Sequence, residues 1–134
     1  MPIPTAMPGI THVALTVSDL ATSEAWYTEV LGGPPVLDED TGPFRHIVYS
    51  IGGTLLGLHG FPALQSSERF DERRPGLDHV SFGVATRAEL LEWAGRLDAL
   101  GVAHGEIVDA GYGSGLSFRD PDNIALELFA PPGT

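Results

Sequence analysis

The chain has 134 residues, enough for one ordinary domain and too few for two that each bury a separate core. Hydrophobic residues make up 43% and charged residues 19%, as in folded globular proteins. The 18 acidic and 7 basic residues give a formal net charge of -11, which argues against nucleic acid or an acidic membrane surface as partner. Cysteine and lysine are both absent, so disulfides, thiolate ligands and Schiff-base chemistry are excluded.

The N-terminal segment MPIPTAMPG has no basic residue and no long apolar run. It therefore predicts neither a signal peptide nor a membrane anchor. The lack of cysteine fits a reducing compartment. We expect a cytoplasmic protein whose partner is a small molecule.

In chain order, the first predicted element is a strand in residues 10–17 (ITHVALTV). Ser18 or Asp19 then caps a helix that continues through WYTEVLGG and ends at Gly32. Two strand-like segments follow, RHIVYSI and TLLGLHGF, separated by a Gly-Gly turn. The apolar stripe of the helix consists of Leu20, Tyr27, Val30 and Leu31.

The same pattern recurs in the second half, where residues 77–84 (LDHVSFGV) again carry histidine at the third position. Thr86 and Glu89 have capping-box spacing, and Gly101 ends the predicted helix. The segments GLSFR and IALELFA follow, separated by the turn DPDN. The apolar stripe of this helix consists of Leu90, Trp93, Ala94, Leu97 and Leu100.

Each half thus predicts one strand, one helix and about three further strands, an α+β organisation. We expect a single domain over residues 1–134, made of a module at 9–61, a connecting loop at 62–76 and a module at 77–131. The loop is polar and lacks periodicity, and it is a candidate to flank the site.

Alternation along the strands separates large apolar residues from histidine and small residues. His12 shares a strand face with Ala14 and Thr16, and His79 shares one with Ser81 and Gly83. In the last strand Glu127 lies opposite the face of Ile124, Leu126 and Leu128. Two histidines at matching repeat positions and a carboxylate in an apolar strand favour an open metal site, with a buried structural cluster as the alternative.

These motifs resemble the vicinal oxygen chelate superfamily, which includes glyoxalase I, extradiol dioxygenases, fosfomycin-modifying enzymes and bleomycin-resistance proteins. The resemblance spans nearly the whole chain and is carried by THVALTV, EVLGG, LDHVSFGV and FRDPDNIALELFAPP. It implies two βαβββ modules that form a curved mixed sheet around a U-shaped metal-binding cavity. It also implies that His12, His79 and Glu127 hold one divalent cation (Fe, Mn, Zn, Ni or Co), and that the chain pairs as a homodimer, with the site built within one chain or shared between two.

One position departs from the glyoxalase I pattern. Aligning the two repeats sets Gly57 opposite Glu127, where a fourth ligand is expected. His59, two residues further on, is a candidate fourth ligand or catalytic acid–base residue, and a packed or solvated histidine is the alternative. Without it, the ligand set is that of the superfamily's ring-cleaving dioxygenases and thiol-transfer enzymes.

Four further residues are candidates for binding an oxygenated substrate: His46, Tyr49, Tyr112 and Arg119. The alternatives are packing roles for the tyrosines and a surface ion pair between Arg119 and Asp120. His104 lies off the repeat pattern and is expected to face solvent.

The leading hypothesis is a metal-dependent enzyme, either a glyoxalase-like lyase or isomerase or a ring-cleaving dioxygenase. Its cation would chelate adjacent oxygens of the substrate and stabilise an oxyanion. The alternative is a metal-free protein that sequesters a small molecule, as bleomycin-resistance proteins do. A noncatalytic scaffold is the third possibility.

Overall fold

The computed structural model of the chain describes residues 6–62 and 68–134. The chain divides into two compact units, Met1–Ser66 and Ser67–Thr134. Each contains one strand, one helix and three further strands, so the predicted α+β class and the repeated module are confirmed. The strands form two four-stranded mixed sheets, one in each unit. Of the predicted connecting loop at 62–76, residues 63–67 lie outside the described part, and residues 68–76 contain no helix or strand.

The first unit contains β1 (His12–Val17), α1 (Leu20–Leu31), β2 (Leu37–Asp40), β3 (Arg45–Ile51) and β4 (Thr54–Gly60). Its sheet has the order β1-β4-β3-β2, in which only the β1–β4 pair is parallel. The helix packs against β4 and covers one face of the sheet. Between the helix and the sheet lie the buried side chains of Leu15, Val17, Tyr27, Val30, Ile47, Tyr49, Leu56 and Leu58.

Local signals set both ends of α1. Asp19 is the N-cap, and its carboxylate accepts a hydrogen bond from the backbone N–H of Thr22 at 3.1 Å. Gly32 ends the helix in the left-handed region at a φ of 86°, and its N–H donates to the carbonyl of Thr28. The predicted helix bounds are therefore confirmed, with Asp19 as the cap of the two candidates.

The second unit contains β5 (Val80–Gly83), α2 (Arg87–Ala99), β6 (Val108–Ala110), β7 (Gly113–Arg119) and β8 (Ala125–Ala130). Its sheet has the order β5-β8-β7-β6, again with one parallel pair, β5–β8. The helix α2 packs against β7 and β8. The core of this unit consists of Leu90, Leu97, Leu116, Phe118, Ile124, Leu126, Leu128 and Ala130.

Thr86 caps α2 as predicted, because its Oγ1 accepts from the N–H of Glu89 at 3.1 Å. The reciprocal bond differs from the predicted capping box, because the Glu89 carboxylate accepts from the N–H of Ala85 at 2.9 Å. The predicted strand at 77–84 is shorter than expected and begins at Val80. Its parallel partner β8 begins only at Ala125, after a turn in which Asn123 has a φ of 69°. Residues before Val80 therefore have little strand to pair with. Among the described residues, no helix is long and apolar enough to cross a membrane.

Candidate functional site

Glu127 lies on the face of the second sheet that α2 leaves uncovered. The strand register places it between Ser81 of β5 and Ser117 of β7. Its neighbours along β8, Leu126 and Leu128, point into the core. Ser81 Oγ donates a hydrogen bond to Glu127 Oε1 at 2.9 Å, which orients the carboxylate. Alternation in the sequence predicted this placement, and flanking residues with short side chains leave space above the carboxylate.

His79 immediately precedes β5, and its Nε2 lies 3.8 Å from Glu127 Oε1. That separation is too long for a direct hydrogen bond. The other ring nitrogen, Nδ1, lies 2.7 Å from Asp78 Oδ1. A carboxylate can only accept here, so Asp78 holds the proton on Nδ1 and leaves the Nε2 lone pair directed to other partners. Histidines that bind a metal typically donate their other ring N–H to a carboxylate in this way.

Gly115 leaves room for the carboxylate of Glu127. A Cβ built on Gly115 would lie 3.0 Å from Glu127 Oε2 and 3.4 Å from its Cδ, closer than side chains normally approach. Any larger residue at this position would displace the carboxylate or change its rotamer. The space at Gly115 and the free Nε2 of His79 are what a metal ligand pair requires, so these residues fit a divalent cation.

A cavity of about 270 Å³ opens beside this pair. Tyr112 forms part of its wall, with its ring stacked on Phe129 at a centroid distance of 6.0 Å and an interplanar angle of 12°. Tyr112 thus lies beside His79 and Glu127, and its role in binding substrate stays a prediction. The cavity is lined by His79, Val108, Ala110, Tyr112, Gly113, Gly115, Ser117, Glu127 and Phe129.

A second cavity of about 160 Å³ also reaches His79 and Glu127. Arg119 lines it and forms a bidentate ion pair with Glu72, at 3.0 Å from Nη1 to Oε2 and 2.9 Å from Nη2 to Oε1. Arg119 lowers the pKa of Glu72 to about 2, chiefly through these hydrogen bonds. The ion pair of Arg119 is thus with Glu72 in the segment 68–76, whereas the sequence suggested Asp120. The carboxylate of Asp120 accepts from backbone N–H groups of its own turn.

In the first unit, His12 begins β1 on the face that α1 leaves uncovered, together with Ala14 and Thr16. Its Nδ1 lies 2.9 Å from Thr11 Oγ1. The residue preceding the histidine thus holds Nδ1 in both units, Thr11 here and Asp78 in the second. Sequence analysis missed both partners, although their shared position before the repeated histidine is a signal.

His59 and His46 lie side by side on the same face, paired across β4 and β3, with Glu39 of β2 next in the row. The two imidazole centroids are 5.1 Å apart, and the ring of Phe44 stacks on His59 at 4.8 Å. Burial, then the neighbouring His46 and His12, lower the pKa of His59. His59 is therefore neutral near pH 7, the form in which imidazole accepts a proton or binds a metal.

Tyr49 occupies a different position from the one predicted, because it lies on the sheet face covered by α1. Its side chain is buried, and its hydroxyl donates to the carbonyl of Glu24 at 3.0 Å and lies 2.8 Å from Thr28 Oγ1. Alternation explains the difference. His46 and Tyr49 are three residues apart in one strand and cannot share a face. Tyr49 anchors α1 to the sheet.

Within the described residues of each unit, no three His, Asp or Glu side chains form a group able to hold a metal ion. The second unit supplies two candidate ligands, His79 and Glu127, at 3.8 Å. His12 lies in the first unit.

The chain matches the family model described as the Glyoxalase/Bleomycin resistance protein/Dioxygenase superfamily over residues 9–128. This match confirms the resemblance drawn from the sequence motifs. Among curated proteins, none matches the chain.

Solved structures resemble the chain over nearly their whole length. A glyoxylase/bleomycin resistance protein/dioxygenase domain from Frankia sp. EAN1pec is 34% identical, with 96% of each chain covered and a TM-score of 0.85. The fosfomycin resistance protein FosX from Listeria monocytogenes is 25% identical, with 96% of each chain covered and a TM-score of 0.69. A glutamate-to-glutamine mutant of FosX, crystallised with Mn(II) and 1S,2S-dihydroxypropylphosphonic acid, is 23% identical, with coverage of 96% and 95% and a TM-score of 0.73.

Proposed function

The chain belongs to the Glyoxalase/Bleomycin resistance protein/Dioxygenase superfamily, and from that premise we propose that it is an enzyme that binds a small oxygenated substrate through one divalent cation. The proposed ligands are His12, His79 and Glu127. The observation that carries the proposal is the 3.8 Å separation between His79 Nε2 and Glu127 Oε1. Two donor atoms that each lie about 2.1 Å from one cation are at most about 4.2 Å apart, so this pair is within coordinating range.

The ligand chemistry supports a cation of the first transition series or zinc. Two imidazoles and one carboxylate suit Fe, Mn, Co, Ni or Zn and leave coordination positions open for substrate. The Mn(II) in the FosX mutant structure supports the same choice, although the likeness to that chain is one of fold. His12 is the proposed third ligand because Thr11 holds its Nδ1 as Asp78 holds that of His79.

When bound, the cation would supply Lewis-acid stabilisation of negative charge on the substrate oxygens. Ser81 and Asp78 would keep the two ligands of the second unit oriented. Tyr112 and Phe129 offer a flat aromatic wall for the apolar part of the substrate. We propose His59 as the residue that accepts or returns a proton, with His46 beside it in contact with substrate, because the lowered pKa keeps His59 neutral.

Metal content decides between this enzyme and a metal-free binding protein. The chain is purified without a metal-affinity tag, and bound transition metals are measured by mass spectrometry. About one equivalent is expected for the unaltered chain, and a large loss is expected for His79→Ala and Glu127→Gln, with circular dichroism unchanged. Glu106→Gln removes a carboxylate from an exposed position of the same unit and is the matched control. Equal metal content in all four proteins would overturn the proposal, and a metal-free wild type would favour sequestration.

We further propose that the protein works in the cytoplasm as a homodimer in which His12 of one chain completes the site of the other. The support is the matched position of His12 and His79 in the two repeats, each with its Nδ1 held by the preceding residue. The test mixes His12→Ala with Glu127→Ala under subunit exchange and measures metal content. In a shared arrangement one site of the mixed dimer keeps all its ligands, so binding partly returns. No recovery, despite exchange shown by a mass tag, means that each chain builds its own site.

A further inference from the structure

Arg119 carries its guanidinium on the open face of β7, beside the proposed metal ligands. It shares a cavity with His79 and Glu127, and it is the only arginine among the described residues that line this cavity. The other ionisable groups of the wall, Glu72 and Asp78, are carboxylates. A substrate anion entering this cavity would therefore find one fixed positive charge. Both terminal nitrogens of this guanidinium donate to the carboxylate of Glu72.

The pair between Arg119 and Glu72 is open to exchange. The two side chains remain 42% and 35% exposed, and ion pairs with this much water access add little net stability. Glu72 belongs to the segment 68–76, which the protein holds elsewhere. Phe70 N–H donates to the carbonyl of Asp122, and Asn123 Nδ2 donates to the carbonyl of Phe70, each at 3.0 Å. The Glu72 carboxylate can leave while these bonds keep the segment in place.

A second hydrogen bond holds the guanidinium of Arg119 in position when the Glu72 carboxylate leaves. Its Nη1 also donates to the backbone carbonyl of Asn123 at 3.1 Å, a bond that does not involve the carboxylate of Glu72. Another oxyanion can therefore accept the two parallel hydrogen bonds that Arg119 now donates to Glu72. Guanidinium groups bind carboxylate and phosphonate oxygens in this bidentate manner.

We propose that Arg119 is the specificity residue that binds an anionic group of the substrate, and that Glu72 is an internal competitor which this group displaces. The preferred substrates are then small acids, carboxylic or phosphonic, with a further oxygen adjacent to the acid group. This inference deepens the proposed function, on which it rests for the neighbouring cation. The exchange at the guanidinium itself needs no cation.

The test measures binding of glycolate and of hydroxymethylphosphonate by NMR titration of the metal-free protein. Arg119→Met is expected to raise Kd by about tenfold or more for the acid that uses this position. Glu72→Gln is expected to lower Kd several-fold, because the competing carboxylate is gone while Arg119 remains. Among the described residues of the unit, Arg87 and Asp109 form the other bidentate pair between an arginine and a carboxylate distant in sequence. Arg87→Met and Asp109→Asn are the matched controls, and both should leave Kd within about twofold.

Opposite effects of the two substitutions at the Arg119–Glu72 pair are the signature of competition. If the pair is only structural, binding of the acid should be weakened or lost in both variants. That result overturns the inference. Repeating the titration with Zn²⁺ separates the two proposals. If opposite effects persist in the metal-free protein while Zn²⁺ fails to bind, the anion site stands and the metal-dependent function falls. If Zn²⁺ binds at His79 and Glu127 but both variants behave alike, the metal-dependent function stands and the anion site falls.

Discussion

Gly57 in the first sheet occupies the register position that Glu127 occupies in the second. Gly57 pairs with Ala14 of β1 and Val48 of β3, whereas Glu127 pairs with Ser81 of β5 and Ser117 of β7. The alignment of the two repeats predicted this correspondence. The first unit thus has glycine where the second unit has a carboxylate. A carboxylate can be introduced there by substitution of Gly57.

The first prediction is that Gly57→Glu folds and gains metal-dependent stability. A Cβ at Gly57 would meet Ala14 Cβ at 3.6 Å and His59 Nε2 at 3.8 Å, which are ordinary contacts. Because Gly57 is buried, an unpaired carboxylate there should cost more than the roughly 1–3 kcal/mol of an unpaired neutral group in the metal-free protein. Mn²⁺ should then raise the melting temperature more in the variant than in the wild type. An equal rise in both would show that the new carboxylate does not reach the cation.

A second prediction concerns Gly115→Ala, which should lower metal occupancy while the fold is kept. The added methyl would lie 3.0 Å from Glu127 Oε2 and force the carboxylate to move. Gly95→Ala is the control, since nothing lies within 4 Å of its Cβ position in α2 and alanine should stabilise that helix by about 1 kcal/mol. Metal content and urea unfolding of both variants are compared. Unchanged occupancy in Gly115→Ala would separate Glu127 from metal binding.

The third prediction is that Ser23→Ala stabilises the first unit. Ser23 is 1% exposed, and its hydroxyl has no hydrogen-bond partner among the described residues. Replacement by alanine removes this desolvated group and raises helix propensity, so the free energy of unfolding should rise by about 1 kcal/mol. Ala25→Ser, at an exposed position of α1, should cost roughly 0.5 kcal/mol from propensity alone. Urea denaturation measures both, and a loss of stability in Ser23→Ala would reveal a partner for the hydroxyl.

The fourth prediction is a pH dependence from His104, which proved largely shielded rather than solvent-facing, with a side-chain exposure of 16%. Its Nδ1 lies 2.7 Å from the Gly105 carbonyl and its Nε2 lies 2.7 Å from Asp98 Oδ1. Both acceptors favour the imidazolium and raise the pKa of His104 above 6.5, first through Gly105 and then through Asp98. A raised folded-state pKa adds stability that is complete below 6.5 and is lost as pH rises through the folded value.

Urea unfolding of the wild type and His104→Asn at about pH 5.5 and about pH 9 tests this expectation. The variant should lose more stability at the acidic pH than at the alkaline one. Asp98→Asn should reduce the same pH dependence, because it removes one of the two acceptors. If the difference in unfolding free energy between wild type and His104→Asn is the same at both pH values, the protonation of His104 does not contribute to stability.

The sequence by itself determined the elements and their repetition. Caps at Asp19 and Thr86 and the stop at Gly32 act through backbone groups a few residues away, so their effect is local and predictable. Strand alternation likewise determined which side of its strand Glu127 occupies. Where alternation was not applied, as for Tyr49, the predicted position was wrong.

Only the tertiary structure decided which side chains meet. The 3.8 Å approach of His79 to Glu127, the space at Gly115 and the choice of Glu72 as partner for Arg119 all join residues far apart in sequence. Such contacts depend on the register between β5, β8 and β7 and on the path of the segment 68–76. Register and loop path result from the packing of whole strands and turns, a sum of many weak interactions that no short motif encodes.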